Sequence, residues 1–310
     1  MITVIGSVNM DLVVRVAELP RPGETVRGQN MHSGLGGKGA NQAVAAARLG
    51  ARVRLIAAFG SDTFGQQAAA ELHTQGVELQ ATKRCATPTG VALIGVDERG
   101  QNTILLSPGA NADLFPEDIT TAMLADSTWA MVQLEIPQRT WQHAIAVVKH
   151  AGQQVLVNAS PLSPESTLEQ FAQSDVLIVN ELEAAQLLGA PLALSADEAL
   201  RQAKQIATQI PYVVVTLGGA GVAFAAPEQS GVLLAHPVAV IDTTGAGDTF
   251  AGALCVGLSE GQPFLQALRL ANVAAALATT KRGTVAAMPE RAEVEALLLH
   301  QFRPSEETRL

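Results

Sequence analysis

Short apolar runs recur through the second half of the chain, at 129–134, 155–158, 176–179 and 213–217, and a helical stretch separates each from the next. Alternating strand and helix leaves one economical solution: a mostly parallel sheet covered by helices, because parallel neighbours need a crossover and the crossover helices bury both faces. The first half begins the same way. Ile2 to Gly6 reads as a buried strand and Val53 to Ala57 as another. The Ala-rich stretch Gly39 to Leu49 reads as a helix stopped by Gly50, and Phe64 to Gly76 as a second with its own glycine stop. Two stretches break the alternation, 10–35 and 88–107. The first offers Leu12 to Val16, a Pro- and Gly-punctuated turn over Leu19 to Gly23, and Glu24 to Val26. The second sets Val91 to Val96 and Thr103 to Leu106 on either side of the turn Asp97 to Gly100. These β-prone excursions are predicted to pair into one small sheet, a lid. The division expected is therefore a large α/β domain from 1–9, 36–87 and 108–302, a β lid from 10–35 and 88–107, and a polar, mobile tail at 303–310.

Composition narrows the function classes. The 310 residues are 48% hydrophobic and 16% charged, which supports a large core. A net charge of −9 argues against nucleic acid or an anionic membrane as main partner. It leaves room for a nucleotide held by a local phosphate cradle. Cys85 and Cys255, the two cysteines, suit neither a disulfide framework nor a cysteine zinc site, and the six histidines show no metal-ligand spacing. With no signal-peptide pattern and no long uncharged apolar span, a cytoplasmic location is expected.

The chemistry concentrates in Asp242-Thr243-Thr244-Gly245-Ala246-Gly247-Asp248-Thr249-Phe250. The Gly-Ala-Gly turn leaves backbone N–H groups uncovered where a helix begins, and such groups hold anions. Asp248 ends this cradle, placed to take a proton from an attacking hydroxyl. Cradle and base in one turn point to phosphoryl transfer to an alcohol.

Other polar groups stand at predicted strand ends, where ligands of parallel sheets bind. Asn9 and Asp11 follow the first strand, and an amide with a carboxylate suits sugar hydroxyls, although Asn-x-Asp also serves turns and caps. Glu135 follows the run Met131 to Leu134 and is read as a sugar contact or a partner of Lys38. Asn180 and Glu183 follow Val176 to Val179; a carboxylate there can hold Mg²⁺ through water, or serve only the helix dipole. Thr216, Gly218, Gly219 and Gly221 follow Val213 to Val215 and admit a nucleotide close to the backbone, or form a plain turn. Gly34, Gly36 and Gly39 make a formal G-x-G-x-x-G, so a dinucleotide-dependent oxidoreductase has to be weighed. The context is poor, because the motif follows the β excursion and lacks a clean acidic partner. The reading preferred is a loop that lets ligand approach the backbone, with Lys38 and Asn41 supplying polar contacts at a helix start.

Together these segments resemble the ribokinase, or PfkB-type, family of carbohydrate kinases. The resemblance runs from Gly6-Ser7-Val8-Asn9-Met10-Asp11 to the final helices and rests on two ordered signatures, Gly36-Gly37-Lys38-Gly39-Ala40-Asn41-Gln42-Ala43 and Asp242 to Phe250. Pro22-Gly23-Glu24-Thr25 and Gln133-Leu134-Glu135 fit as well. The resemblance implies a ribokinase-like α/β fold with a β lid, commonly a homodimer packed through its lids, and ATP- and Mg²⁺-dependent phosphorylation of the ribose 5-hydroxyl. It implies that Asp248 is the base and the amides of Gly245, Ala246 and Gly247 the anion hole. Asn9, Asp11, Gly37, Lys38, Asn41 and Glu135 would hold the sugar. Asn180 and Glu183 would lie near Mg²⁺ and phosphate, and Thr216 to Gly221 with Asn272 would line the nucleotide. A monovalent cation, usually K⁺, would take Asp242, Thr244 and carbonyls near Ala278, Lys281 and Gly283. The chain departs from the family at Ala287, where a hydroxyl is frequent, and at Asn272, where a histidine is frequent. Deoxyribose, another sugar or a nucleoside stays open as substrate, as does a non-catalytic sugar or nucleotide sensor on the same fold.

Overall fold

The computed structural model describes residues 1–79 and 82–301; the tail predicted to be mobile, 303–310, lies outside them. In chain order the strands and helices are β1 (Ile2–Ile5), β2 (Asn9–Arg15), β3 (Met31–Gly36), α1 (Lys38–Arg48), β4 (Val53–Ile56), β5 (Ala58–Gly60), α2 (Thr63–Thr74), β6 (Val77–Glu78), β7 (Lys83–Cys85), β8 (Gly90–Val96) and β9 (Asn102–Ser107). They continue with β10 (Trp129–Gln133), α3 (Gln138–His150), β11 (Gln154–Asn158), β12 (Val176–Asn180), α4 (Glu181–Leu188), α5 (Ala196–Ile206), β13 (Tyr212–Thr216), β14 (Val222–Ala225), β15 (Ser230–Leu233), α6 (Ala246–Ser259), α7 (Phe264–Ala278) and α8 (Arg291–Gln301).

The apolar runs pair as their alternation with helices requires. A nine-stranded sheet has the order β15-β14-β13-β12-β11-β10-β1-β4-β6, parallel from β13 to β6 and antiparallel at the β14 and β15 edge. Each central strand buries both faces. Val4, Leu55, Met131, Leu156 and Ile178 enter one core with α1, α6 and α7. Their neighbours Ile5, Ile56, Val132, Val157 and Leu177 enter the opposite core with α3 and α5. No helix among the described residues is long and apolar enough to cross a membrane.

The two β excursions do pair, in a four-stranded sheet of order β3-β2-β8-β9. Each contributes an antiparallel hairpin, and β2 joins β8 in parallel. The second strand of the first hairpin is not where propensity put it. Glu24 to Val26 form no strand, while Met31–Gly36 do, although Ser33, Gly34 and Gly36 are poor β formers. Pairing with β2 from Asn9 to Val14 supplies the ladder that local preference does not. The β14 and β15 hairpin was likewise not read from the sequence.

This topology delivers polar residues to one edge of the large sheet. The carboxyl ends of β1, β10, β11, β12 and β13 bring Gly6, Gln133, Asn158, Asn180 and Thr216 there. Helices α1 and α6 start at the same edge and pack closely. A Cβ at Gly252 would stand 2.8 Å from Ala45 Cβ and 3.0 Å from the Gln42 carbonyl oxygen.

Candidate active site

Asp248 lies in the first turn of α6, buried, three residues after Gly245, which sits in the left-handed region at φ 77°. Asn41 Nδ2 donates to its Oδ2 at 2.9 Å and Gln42 Nε2 to its Oδ1 at 3.0 Å. The predicted base is thus gripped at both oxygens by two consecutive residues of α1. Beside it, the turn is partly engaged: Ala246 N–H donates to the Thr243 carbonyl at 3.2 Å. A Cβ at Gly247 would meet open space, whereas one at Gly245 would come within 2.6 Å of Thr284 Cγ2.

The predicted sugar residues gather nearby. Asn9 is buried and its Oδ1 accepts from Asn111 Nδ2 at 2.8 Å. Asp11 opposes Gly34 across the β2 and β3 ladder, and a Cβ at Gly36 would collide with its carboxylate. Burial, then the charges of Glu135 and Asp248, push the Asp11 carboxyl up to about 7. Gly37 adopts φ 86° and packs on the Ser7 to Asn9 backbone, too close for a side chain. Glu135 accepts from the Ser7 hydroxyl at 2.5 Å and from the Lys38 backbone N–H at 3.0 Å. The hydrogen bond between Glu135 and Lys38 therefore uses the main-chain N–H, while the ammonium feels the carboxylate through its charge. Burial alone pulls the Lys38 ammonium down, but the carboxylates of Asp248, Glu135 and Glu183 outweigh it and hold its pKa above the ordinary lysine value. Among the described residues, Asn41 Oδ1 is buried with no hydrogen-bond partner.

The predicted nucleotide and metal residues show more local duties. Asn180 caps α4: its Oδ1 accepts from Glu183 N–H, and Glu183 Oε2 accepts from Asn180 N–H, both at 2.8 Å. Burial raises the Glu183 carboxyl, against the opposing effects of that backbone bond, Ser160 and Lys38. Thr216 donates its hydroxyl to the Val179 carbonyl at 3.3 Å. Gly218 and Gly219 face open space, but Gly221, at φ 99°, lies tight against the backbone of Leu233 to Ala235. Asn272 donates to the Leu234 carbonyl at 2.7 Å. Asp242 Oδ1 accepts from the Thr244 N–H and hydroxyl, and its Oδ2 from Gly283 N–H at 3.1 Å. Burial alone would raise Asp242; these bonds, with the Arg15 charge, hold it below the usual carboxylate range. The Thr279 carbonyl accepts from Ile241 and Asp242, so 241–244 and 278–283 converge. Ala278 is buried at the end of α7, and the Lys281 ammonium turns to Glu293 at 3.1 Å. Among the described residues no three His, Cys, Asp or Glu side chains gather as a metal site.

A cleft of about 920 Å³ separates the small sheet from these loops. Asp11, Val13 and Ile94 line one wall, and Asp242, Thr244 and Gly283 the other. The glycines of the formal dinucleotide motif are explained here without a dinucleotide. Gly34 and Gly36 belong to an antiparallel small-sheet strand, and Gly39 presses on the backbone of Gly6 and Ser7.

Four polar residues near the site were assigned no role from the sequence: Gln42, Asn111, Gln133 and Asn158, all buried. A long amide in an alanine-rich helix, and amides at two strand ends, were the available signals.

A family model described as pfkB family carbohydrate kinase matches residues 1–291. A ribokinase of Haemophilus influenzae is 36% identical over 303 residues, covering 96% of this chain and 98% of that protein. A deoxyribokinase of Salmonella typhimurium is 33% identical over 292 residues, covering 93% and 95%. Among solved structures, a ribokinase of Thermotoga maritima superposes with TM-score 0.88 at 34% identity, covering 96% of this chain and 99% of that one. The ribokinase of Arabidopsis thaliana complexed with ribose and ATP gives 0.87 at 31%, covering 96% and 98%. The chain belongs to the pfkB family of carbohydrate kinases.

Proposed function

We propose that this kinase transfers the γ-phosphoryl group of ATP to the 5-hydroxyl of ribose. The observation that carries the reading is Asp248, a buried carboxylate gripped by α1 in the first turn of α6, beside the glycine turn. Asn9, Asp11, Gly37, Lys38, Asn41 and Glu135 hold the sugar, and the buried, unpartnered Asn41 Oδ1 suits a hydroxyl donor. As the ribose oxygen bonds to the γ-phosphorus, its bond to the β,γ-bridging oxygen breaks, ADP leaves, and the hydroxyl proton passes to Asp248. Amides of Gly245, Ala246 and Gly247 hold charge on the moving group. Asn180, Thr216, Gly218, Gly219, Gly221 and Asn272 line the nucleotide, several of them by shaping its backbone walls.

Mg²⁺ supplies charge neutralisation on the phosphates when bound. Glu183 suits it through water, as a single carboxylate serves a hydrated ion. A monovalent cation fits Asp242, Thr244 and the carbonyls near Ala278, Lys281 and Gly283, a support being the convergence of those segments. Ala287, where the family often has a hydroxyl, would offer it only a buried methyl group and no side-chain ligand. We read the small sheet as the lid and as a homodimer face: all six residues of β9 are exposed, and Leu93, Leu105 and Met31 are 48%, 65% and 64% exposed. ATP use supports a cytoplasmic location.

The Salmonella relative keeps 2-deoxyribose as the second reading. Coupled ADP release with ribose, 2-deoxyribose, hexoses and nucleosides, with and without K⁺, tests the substrate and the cation. Ribose is expected to give the highest kcat/KM. A preference for a nucleoside or hexose, or sugar-induced stabilisation without ADP release, would refute the reading.

A further inference from the structure

The amide gripping Oδ1 of Asp248 belongs to a longer buried chain. Gln42 has no exposed surface, in a helix whose other buried residues are mostly alanines. Burying a primary amide is costly unless its donors and acceptor are met. All are met here. Nε2 donates to Asp248 Oδ1 and to Asn158 Oδ1, both at 3.0 Å, while Oε1 accepts from Gln133 Nε2 at 2.7 Å. The amide therefore has one workable orientation. Turned over, it would set oxygen against two oxygens and NH₂ against NH₂. Gln133 owes its place to Gly6, where a Cβ would overlap its Oε1. Asn158 and Gln133 end adjacent strands of the large sheet, so the rigid sheet is wired to the carboxylate of α6 through one side chain of α1.

We propose that Gln42, pinned by Gln133 and Asn158, is a positioning residue for phosphoryl transfer: together with Asn41 on the other oxygen, it fixes the plane of the Asp248 carboxylate that receives the proton. In a reaction dominated by alignment, a carboxylate free to turn about its last torsion loses productive geometry without losing substrate. The inference rests on the reading of Asp248 as the base.

The test is Gln42→Glu, which keeps size and the acceptor for Gln133 but turns an oxygen toward Asp248. Gln42→Met serves as a second variant of similar length without donors. Melting temperature and ATP binding are measured for both. Either variant that remains folded is expected to lose about 10- to 100-fold in kcat, with the ATP KM within about twofold of the parent. Gln133→Met, which removes only the pin, should lose about threefold in kcat. In an Asp248→Asn background Gln42→Glu should cost less than about twofold more, because its effect runs through that carboxylate. Parental kcat in the folded variants would overturn the proposal. So would a loss that multiplies undiminished in the Asp248→Asn background, the mark of a merely structural role. Full activity of Asp248→Asn alone would instead remove the base assignment beneath it.

Discussion

The two sides of the candidate site are built on opposite terms. On the large-sheet side, Asp248 is held by Asn41 and Gln42, and Gln42 by Gln133 and Asn158, in one buried network. On the small-sheet side, Asp11 sits among other carboxylates with its carboxyl pushed up to about 7, and the strand at the sheet edge is exposed along its whole length. On the proposed function, the first side is already organised for chemistry, and the second would be completed by sugar hydroxyls on its inner face and by a second copy of the chain on its outer face. Preorganised dipoles favour the transition state without reorganisation, whereas an unsatisfied site gains its order from substrate.

The contrast predicts where substitutions register. Asp248→Asn should have the largest effect, a kcat loss of about 10³-fold with sugar KM little changed, since general-base groups contribute on that order. Steady-state ADP release reads it, and a large KM change would place Asp248 in binding instead.

Asp11→Asn should mainly raise the sugar KM, about tenfold, as expected for a charged hydrogen-bond partner. It also carries a stability signature. The folded chain holds the Asp11 proton up to about 7, while an ordinary aspartate releases it near 3.8. Between those values the folded state binds more protons, so this group's contribution is full below the lower value and lost as pH rises through the upper one. Melting curves without sugar at pH 4 and pH 8 should therefore show Asp11→Asn gaining on the parent at the higher pH. No pH-dependent difference would break the picture of an uncompensated carboxyl.

Leu93 and Leu105 are cross-strand partners and both exposed. Converting them to Lys should shift a dimer toward monomer in light scattering and raise sugar KM a few-fold, while leaving ATP binding unaltered. An unchanged mass would remove this face as the interface. The smallest effect expected is from Ala287→Ser, which restores a hydroxyl where the family often has one. The K⁺ concentration for half-activation should fall about threefold, in line with one added neutral ligand; an unaltered K⁺ response would detach position 287 from the cation.

The alternation of β and α units was legible because burial on both faces of a parallel sheet demands continuous apolar runs, as in Val176 to Val179 and Val213 to Val215. The glycine turn before Asp248 was legible because helix starts and left-handed glycines are local properties. The third strand was not, since Ser33, Gly34 and Gly36 become a strand only by pairing with β2. Nor was the division of labour at Asn180 and Asn272, whose amide groups are committed to a helix cap and a loop carbonyl. By itself the sequence determined the layers of the fold, the order of the motifs and the kind of chemistry, all carried by near neighbours in the chain. Only the tertiary structure decided how Gln42, Gln133, Asn158 and Asp248 meet, because hydrogen bonds between residues about a hundred or more positions apart exist only once the sheet has brought its strand ends to one edge.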